Sequence, residues 1–139
     1  MIKKKLSNIP IYNTKMMLVD CDNVEELKEV FRGTEFDFDN VFKKNEDIYA
    51  HTINGYVEHK ECTHHCIYVI YNTNHDKCTL RTKTLAHECI HVMHFLYSLK
   101  GHTFGNVDLQ EQDAYLMGYL YQKTSKFFKL STIVKGNGR

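Results

Sequence analysis

The strongest constraint on this chain is a His-Glu-x-x-His pattern, which spans His87-Glu88-Cys89-Ile90-His91. On an α-helix, side chains four residues apart lie one turn above each other, so His87 and His91 can offer two imidazole nitrogens to one metal ion. Glu88 points about a quarter of a turn away, where it can reach a water at the metal rather than the metal itself. The pattern is the signature of zinc hydrolases, although it is short and the chain has nine histidines.

The residues around the motif have the spacing of a helix that packs on a core. Apolar side chains recur at intervals of four and three residues, as on one helix face, at Leu85, Cys89, Val92, Leu96 and Leu99. Gly101 follows and is a typical C-terminal stop. The pattern therefore predicts a long helix that ends near residue 100, with both histidines beside its apolar face.

A catalytic zinc ion takes three protein ligands and keeps one position open, so the two histidines need a third partner. Glu111 is the natural candidate, since nineteen residues separate it from His91. That length lets the first helix end at Gly101, turn through residues 102–106 and return as a second helix. The two helices would lie antiparallel, and Glu111, in the first turn of the second, would face His91.

Two linked motifs between Thr84 and Tyr121 give the chain a family resemblance. They are Leu85-Ala86-His87-Glu88-x-x-His91 and Glu111-x-x-Ala114-Tyr115-Leu116-x-Gly118-Tyr119. Together they resemble the small gluzincin-type metalloproteins of bacteria and phages, in which a zinc-binding helix precedes a glutamate-bearing helix. The resemblance implies one zinc ion per chain, bound by His87, His91 and Glu111, with Glu88 as the catalytic base. Larger gluzincins often carry an aspartate four residues after the ligand glutamate, where this chain has Tyr115.

Length and composition narrow the class of protein. The chain has 139 residues, which fits one domain, and its net charge of +1 gives no reason to expect a nucleic-acid partner. It lacks an apolar run of the roughly 20 residues that a membrane span needs, and its basic start lacks the apolar core of a signal peptide. Five cysteines, an odd number, favour reduced thiols. We therefore expect a protein of the cytoplasm of a bacterium or phage-infected host.

The order of elements predicts an α+β domain. Residues 15–19 and 66–71 read as strands, and a helix begins after the capping sequence Asp20-Cys21-Asp22-Asn23. Residues 47–58 are rich in strand formers around Asn54-Gly55, which we interpret as a hairpin turn or a bulge. Residues from about 127 to 139 are a candidate basic tail. The layout resembles a minimal zincin, in which a small sheet covers the motif helix and its edge strand can pair with an extended peptide.

A second cluster competes as a metal site. Two cysteines and two histidines occur together in Cys62-Thr63-His64-His65-Cys66. Structural zinc sites usually draw on two separated pairs of ligands, and strand alternation alone would place Cys62, His64 and Cys66 on one face. The ordinary strand is the favoured interpretation.

Three further residues near the motif have both a chemical and a structural interpretation. Cys89 is a conceivable nucleophile, but its place on the apolar face favours a buried thiol. His94, one turn beyond His91, is a candidate to support a ligand or stabilise an oxyanion, or else an exposed histidine near the helix end. Tyr115, one turn after Glu111, is a candidate for the same support or else a packing residue.

Two functions from different classes follow. The first is a zinc-dependent hydrolase, expected to be a small metallopeptidase that acts on a peptide or protein substrate. The alternative is a zinc-binding interaction protein without turnover on a zincin-like fold. The sequence leaves open the substrate, the oligomeric state and the strand that forms the edge next to the site.

Overall fold

The structure, a computed structural model, describes residues 2–9, 12–21, 23–31, 50–73, 78–101 and 107–128. In this part of the chain, four strands form one mixed sheet, and three α-helices accompany it. The α+β class predicted from the sequence is confirmed.

The strands of the sheet are β1 (Ile2–Ile9), β2 (Thr14–Cys21), β3 (Ala50–His59) and β4 (Cys62–Tyr71). Their order across the sheet is β1-β2-β4-β3. The pairs β1–β2 and β3–β4 are antiparallel, whereas β2 and β4 run parallel. Among the described strands, β1 and β3 are therefore the two outer ones.

Strand β4 lies inside the sheet because its sequence suits burial on both faces. Its residues 66–71 are β-branched, aromatic or small and apolar, and none is more than 5% exposed. Ile67, Val69 and Tyr71 belong to one apolar cluster, and the residues between them belong to another. The strand predicted at these positions is confirmed and begins four residues earlier.

The first helix, α1 (Val24–Val30), starts where the sequence predicts. The side-chain oxygen of Asn23 accepts a hydrogen bond of 2.8 Å from the backbone N–H of Glu26, which satisfies one of the free donors of the first turn. Leu27 and Phe31 are buried in the cluster that covers one face of the sheet. Gly33, which from the sequence is expected to end this helix, lies outside the described residues.

Two long helices cover the opposite face of the sheet: α2 (Cys78–Lys100) and α3 (Gln110–Phe127). The hydroxyl of Tyr97, near the end of α2, donates to Asp113 near the start of α3. Cys89, further back in α2, has its Sγ atom 3.5 Å from Oγ1 of Thr124, near the end of α3. These contacts confirm that the two helices lie antiparallel.

The apolar face predicted for the motif helix is the one that packs. Leu85, Cys89, Val92 and Leu96 are at most 1% exposed, and only Leu99, in the last turn, is partly open to solvent. Burial of such side chains contributes about 1.5–3 kcal/mol each to the free energy of folding. This packing fixes the rotation of α2 about its axis, and therefore the direction in which the motif residues point.

The turn between β3 and β4 differs from the prediction. Asn54 and Gly55 lie within β3, where Gly55 pairs with Cys66, and the chain reverses at Lys60 and Glu61 instead. Both turn residues have positive φ angles, 51° and 65°, which a two-residue hairpin loop often requires. A turn at Asn54 would end the ladder halfway along β4 and leave the backbone groups of its buried end without those partners.

Residues 127 and 128, assigned to the candidate tail, are packed. Helix α3 ends at Phe127, and Phe128 is 2% exposed, with its ring centroid 5.2 Å from that of Tyr71. Residues 129–139 lie outside the described part of the chain. In that part, no helix is both long and apolar enough to cross a membrane.

Phe128→Ala should lower the free energy of unfolding by about 3–5 kcal/mol, because it removes a large ring from the core and leaves a cavity. Lys126→Ala, at a neighbouring exposed position, is the matched control and should change stability by no more than about 0.5 kcal/mol. Urea unfolding followed by circular dichroism measures both. Equal losses for the two variants would show that Phe128 is not part of the core.

Candidate metal centre

The two histidines of the motif converge on one point. His87 and His91 lie on the exposed side of α2, with their Nε2 atoms 3.1 Å apart and their ring planes inclined at 71°. Two Zn–N bonds of about 2.0–2.1 Å at a tetrahedral angle place the nitrogens about 3.3 Å apart. The pair therefore has the spacing of two ligands of one ion. The same approach also suits an N–H···N hydrogen bond between neutral rings, and metal content distinguishes the two.

Glu88 points away from solvent, toward the sheet. It is 6% exposed, and its Oε2 atom accepts a hydrogen bond of 2.5 Å from the hydroxyl of Thr52 on the outer strand β3. One residue is about 100° of helix rotation, which separates the Glu88 side chain from the exposed His87. The carboxylate is thus held between α2 and β3, and Glu88 is one residue along the helix from His87.

His51, which precedes Thr52 in β3, shares the electrostatic environment of the motif. Burial lowers the pKa of His51, the charge of Glu88 partly opposes that shift, and His91 lowers the pKa further. The imidazole is therefore mainly neutral at pH 7, the form that can accept a proton or bind a metal. Neither His51 nor Thr52 could be predicted from the sequence, because the register of β3 in the sheet and the packing of α2 on it bring them to the motif.

Glu111, the third ligand expected from the sequence, is exposed in the first turn of α3. It precedes the buried Leu116 by five residues, which corresponds to about 140° of rotation away from the packed face of the helix. Among the described residues, no three histidine, cysteine, aspartate or glutamate side chains are close enough to share a metal ion. The structure brings together His87 and His91 but not Glu111, whose role as a ligand stays a prediction.

The two supporting candidates also occupy exposed positions. His94 lies on the exposed side of α2, one turn beyond His91. Tyr115 is 77% exposed and lies one turn after Glu111 on the outer side of α3. For both residues, the predicted role of supporting a ligand or stabilising an oxyanion stays a prediction.

The alternation of side chains between the two faces of β4 accounts for the second candidate metal cluster, at residues 62–66. Cys62, His64 and Cys66 are alternate residues of one strand and share a face, as expected. Cys66 is buried in the core, and burial raises the pKa of its thiol to about 12, so the free thiol is protonated at neutral pH. His65 points to the other face, where its Nε2 atom contacts Oδ1 of Asn54.

Cys89 has the environment of a core thiol. It is 1% exposed, and burial raises its pKa to about 11, an effect that the contact with Thr124 only partly offsets. A nucleophilic cysteine needs an accessible thiolate, which this site disfavours. The interpretation of Cys89 as an apolar packing residue therefore fits the structure.

His91→Ala should remove most of the zinc from the purified protein, because it deletes one of the two converging nitrogens. His94→Ala, which deletes a second exposed histidine from the same helix, should retain it. Elemental analysis of both variants alongside the wild type gives the zinc per chain. A His91→Ala protein that keeps full zinc, while a Cys62→Ser variant loses it, would move the site to the hairpin.

Thiol reactivity should follow burial. Cys21, Cys66 and Cys89 are buried and Cys62 is exposed, and all four are free thiols. Cys62→Ser should therefore remove one rapidly reacting thiol from the native protein, whereas Cys66→Ser should leave the number of rapidly reacting thiols unchanged. All five cysteines should titrate after denaturation without reductant. A total of three or one would indicate disulfide bonds.

Comparison of the chain with protein-family models, with curated proteins and with solved structures finds no match.

Proposed function

We propose that the protein is a zinc-dependent hydrolase of the metallopeptidase type. One observation carries the proposal. The imidazole nitrogens of His87 and His91 are 3.1 Å apart, and Glu88, which follows His87 on the same helix, has a buried carboxylate. Exposed histidines supply metal-binding nitrogens that solvent and substrate can reach. The adjacent Glu88 supplies a group that can accept a proton.

The residues present fit a zinc ion in part. His87 and His91 would hold it, and the resemblance to gluzincins adds Glu111 as the proposed third ligand. Bound there, zinc would polarise a carbonyl group and lower the pKa of a water molecule to about 7. An imidazole binds a metal ion in its neutral form, through the ring nitrogen that carries no proton.

Glu88 would act as the general base and then as the general acid. Its carboxylate would take a proton from the attacking water and deliver it to the nitrogen of the departing amine. The hydrogen bond from Thr52 occupies Oε2 and leaves Oε1 for that proton. Since Glu88 is 6% exposed, bulk water competes little for the carboxylate.

The position of β3 favours a peptide as the substrate. Among the described strands β3 is an outer one, and it contacts the motif helix through Thr52. The backbone donors and acceptors on the free side of an outer strand can pair with an extended chain. A peptide paired there would lie along the strand whose Thr52 contacts Glu88, the proposed base.

A second candidate function is a zinc-binding interaction protein without turnover. It is favoured by the exposed position of Glu111, which lies away from the packed face of α3. A metal held by two histidines of this chain would need further ligands from a partner. Glu111→Ala separates the candidates at the level of the metal, because loss of zinc would support the three-ligand peptidase site.

Glu88→Gln should keep both zinc and fold while lowering peptide hydrolysis by about 10²–10⁴-fold, because the amide cannot accept a proton from water. Glu29→Gln is the matched control, since it makes the same change at an exposed position of α1, the helix on the opposite face of the sheet, and should retain full activity. Hydrolysis of a peptide library is measured for all three proteins at equal zinc content.

Hydrolysis that survives in Glu88→Gln would contradict the mechanism. If zinc-loaded wild type cleaves no peptide, the interaction protein becomes the better account. Loss of zinc from Glu88→Gln would instead show that Glu88 helps to build the metal site.

A further inference from the structure

Thr52 is placed under the motif by the register of the sheet. It pairs with Val69 of β4, and its side chain therefore lies on the face of the sheet that α2 covers. That layer is mainly apolar, and Val69 belongs there to the same buried cluster as Leu85 and Cys89 of the motif helix. A threonine in such a layer differs from a valine by one hydroxyl group, and burying that group is costly unless it is hydrogen-bonded.

The hydroxyl of Thr52 has its partner in the motif. Its Oγ1 atom lies 2.5 Å from Oε2 of Glu88 and 3.5 Å from the backbone carbonyl oxygen of the same residue. A hydroxyl has one proton to donate, and a carboxylate is the stronger acceptor, so the short contact is the main bond. Both residues are more than nine-tenths buried.

This bond restricts a side chain that would otherwise have several rotamers. A glutamate that is free to rotate presents its carboxylate in many directions, and an effective general base must present one oxygen to its proton donor. Fixing Oε2 against β3 leaves Oε1 as the oxygen that is not bonded to Thr52. Because Thr52 belongs to a strand that pairs with β4, the ladder fixes the position of its backbone.

We infer that Thr52 is a positioning residue, whose hydroxyl holds the carboxylate of Glu88 in the orientation in which it acts as a base. The inference rests on the proposed function, in which Glu88 moves the proton. The hydrogen bonds of the Thr52 hydroxyl go to Glu88. It acts only through Glu88.

Thr52→Val removes the hydroxyl and keeps the shape, while Thr52→Ser keeps the hydroxyl. With zinc content equal, Thr52→Val should lower kcat about 10- to 100-fold with KM unchanged, since a hydrogen bond to a charged group is lost. Thr52→Ser should stay within about threefold of the wild type. Thr63→Val, the same change at an exposed position of β4, is the control and should have no effect.

Two comparisons distinguish a residue that positions Glu88 from one that only stabilises the fold. In the Glu88→Gln background, Thr52→Val should cause no further loss of kcat, because the group it positions is gone. In urea unfolding at a fixed zinc concentration, Thr52→Val should lower the urea midpoint. This shift should be smaller in the Glu88→Met background, where no carboxylate is left to accept the hydrogen bond. The second comparison needs no hydrolysis.

The inference is overturned if Thr52→Val and Thr63→Val give the same kcat. It is also overturned if Thr52→Val changes the urea midpoint equally in the wild type and in the Glu88→Met background. A zinc-loaded wild type that cleaves no peptide would overturn the proposed function and the catalytic role of Thr52 with it. The coupling in urea would in that case still decide whether Thr52 holds Glu88.

Discussion

Burial of β4 on both of its faces is the constraint on which the rest of the structure depends. Its residues 66–71 alternate between two apolar clusters, and each cluster needs a cover. Helices α2 and α3 supply the cover on one face, and α1 supplies it on the other. The hydrophobic effect therefore determines both the layer order and the face of α2 that meets the sheet.

The arrangement of the candidate site follows from the way α2 packs on the sheet. Cys89 is a core residue of α2, and its neighbour Glu88 lies at the border of the packed face, where it meets Thr52 of β3. His87 and His91 lie beyond the border, in solvent. Apolar packing fixes the rotation of α2 about its axis. That rotation buries the carboxylate of Glu88 and exposes the neighbouring imidazoles of His87 and His91.

Local patterns predicted the parts of the fold that local forces determine. The motif helix, the Asn23 cap and the burial of residues 66–71 could all be predicted, because helix spacing, capping and β-propensity act within a few residues. The turn at Lys60, the contact between Thr52 and Glu88, and the proximity of His51 could not. They depend on the register between β3 and β4 and on how α2 lies across the sheet. The outward direction of Glu111 depends in the same way on the packed face of α3, which nineteen residues of spacing do not define.

The two outer strands of the described sheet differ in charge. Strand β1 carries three consecutive exposed lysines, Lys3, Lys4 and Lys5, whereas the exposed charge on β3 is the single acid Glu58. Strands with dense positive charge repel their own copies, which is a common protection against edge-to-edge aggregation. Strand β3 lacks that protection over its ten residues. A second copy of the chain would thus be repelled by charge at β1 but not at β3, so the two sides of the described sheet differ in how they resist β-pairing, although the net charge of the chain is near zero.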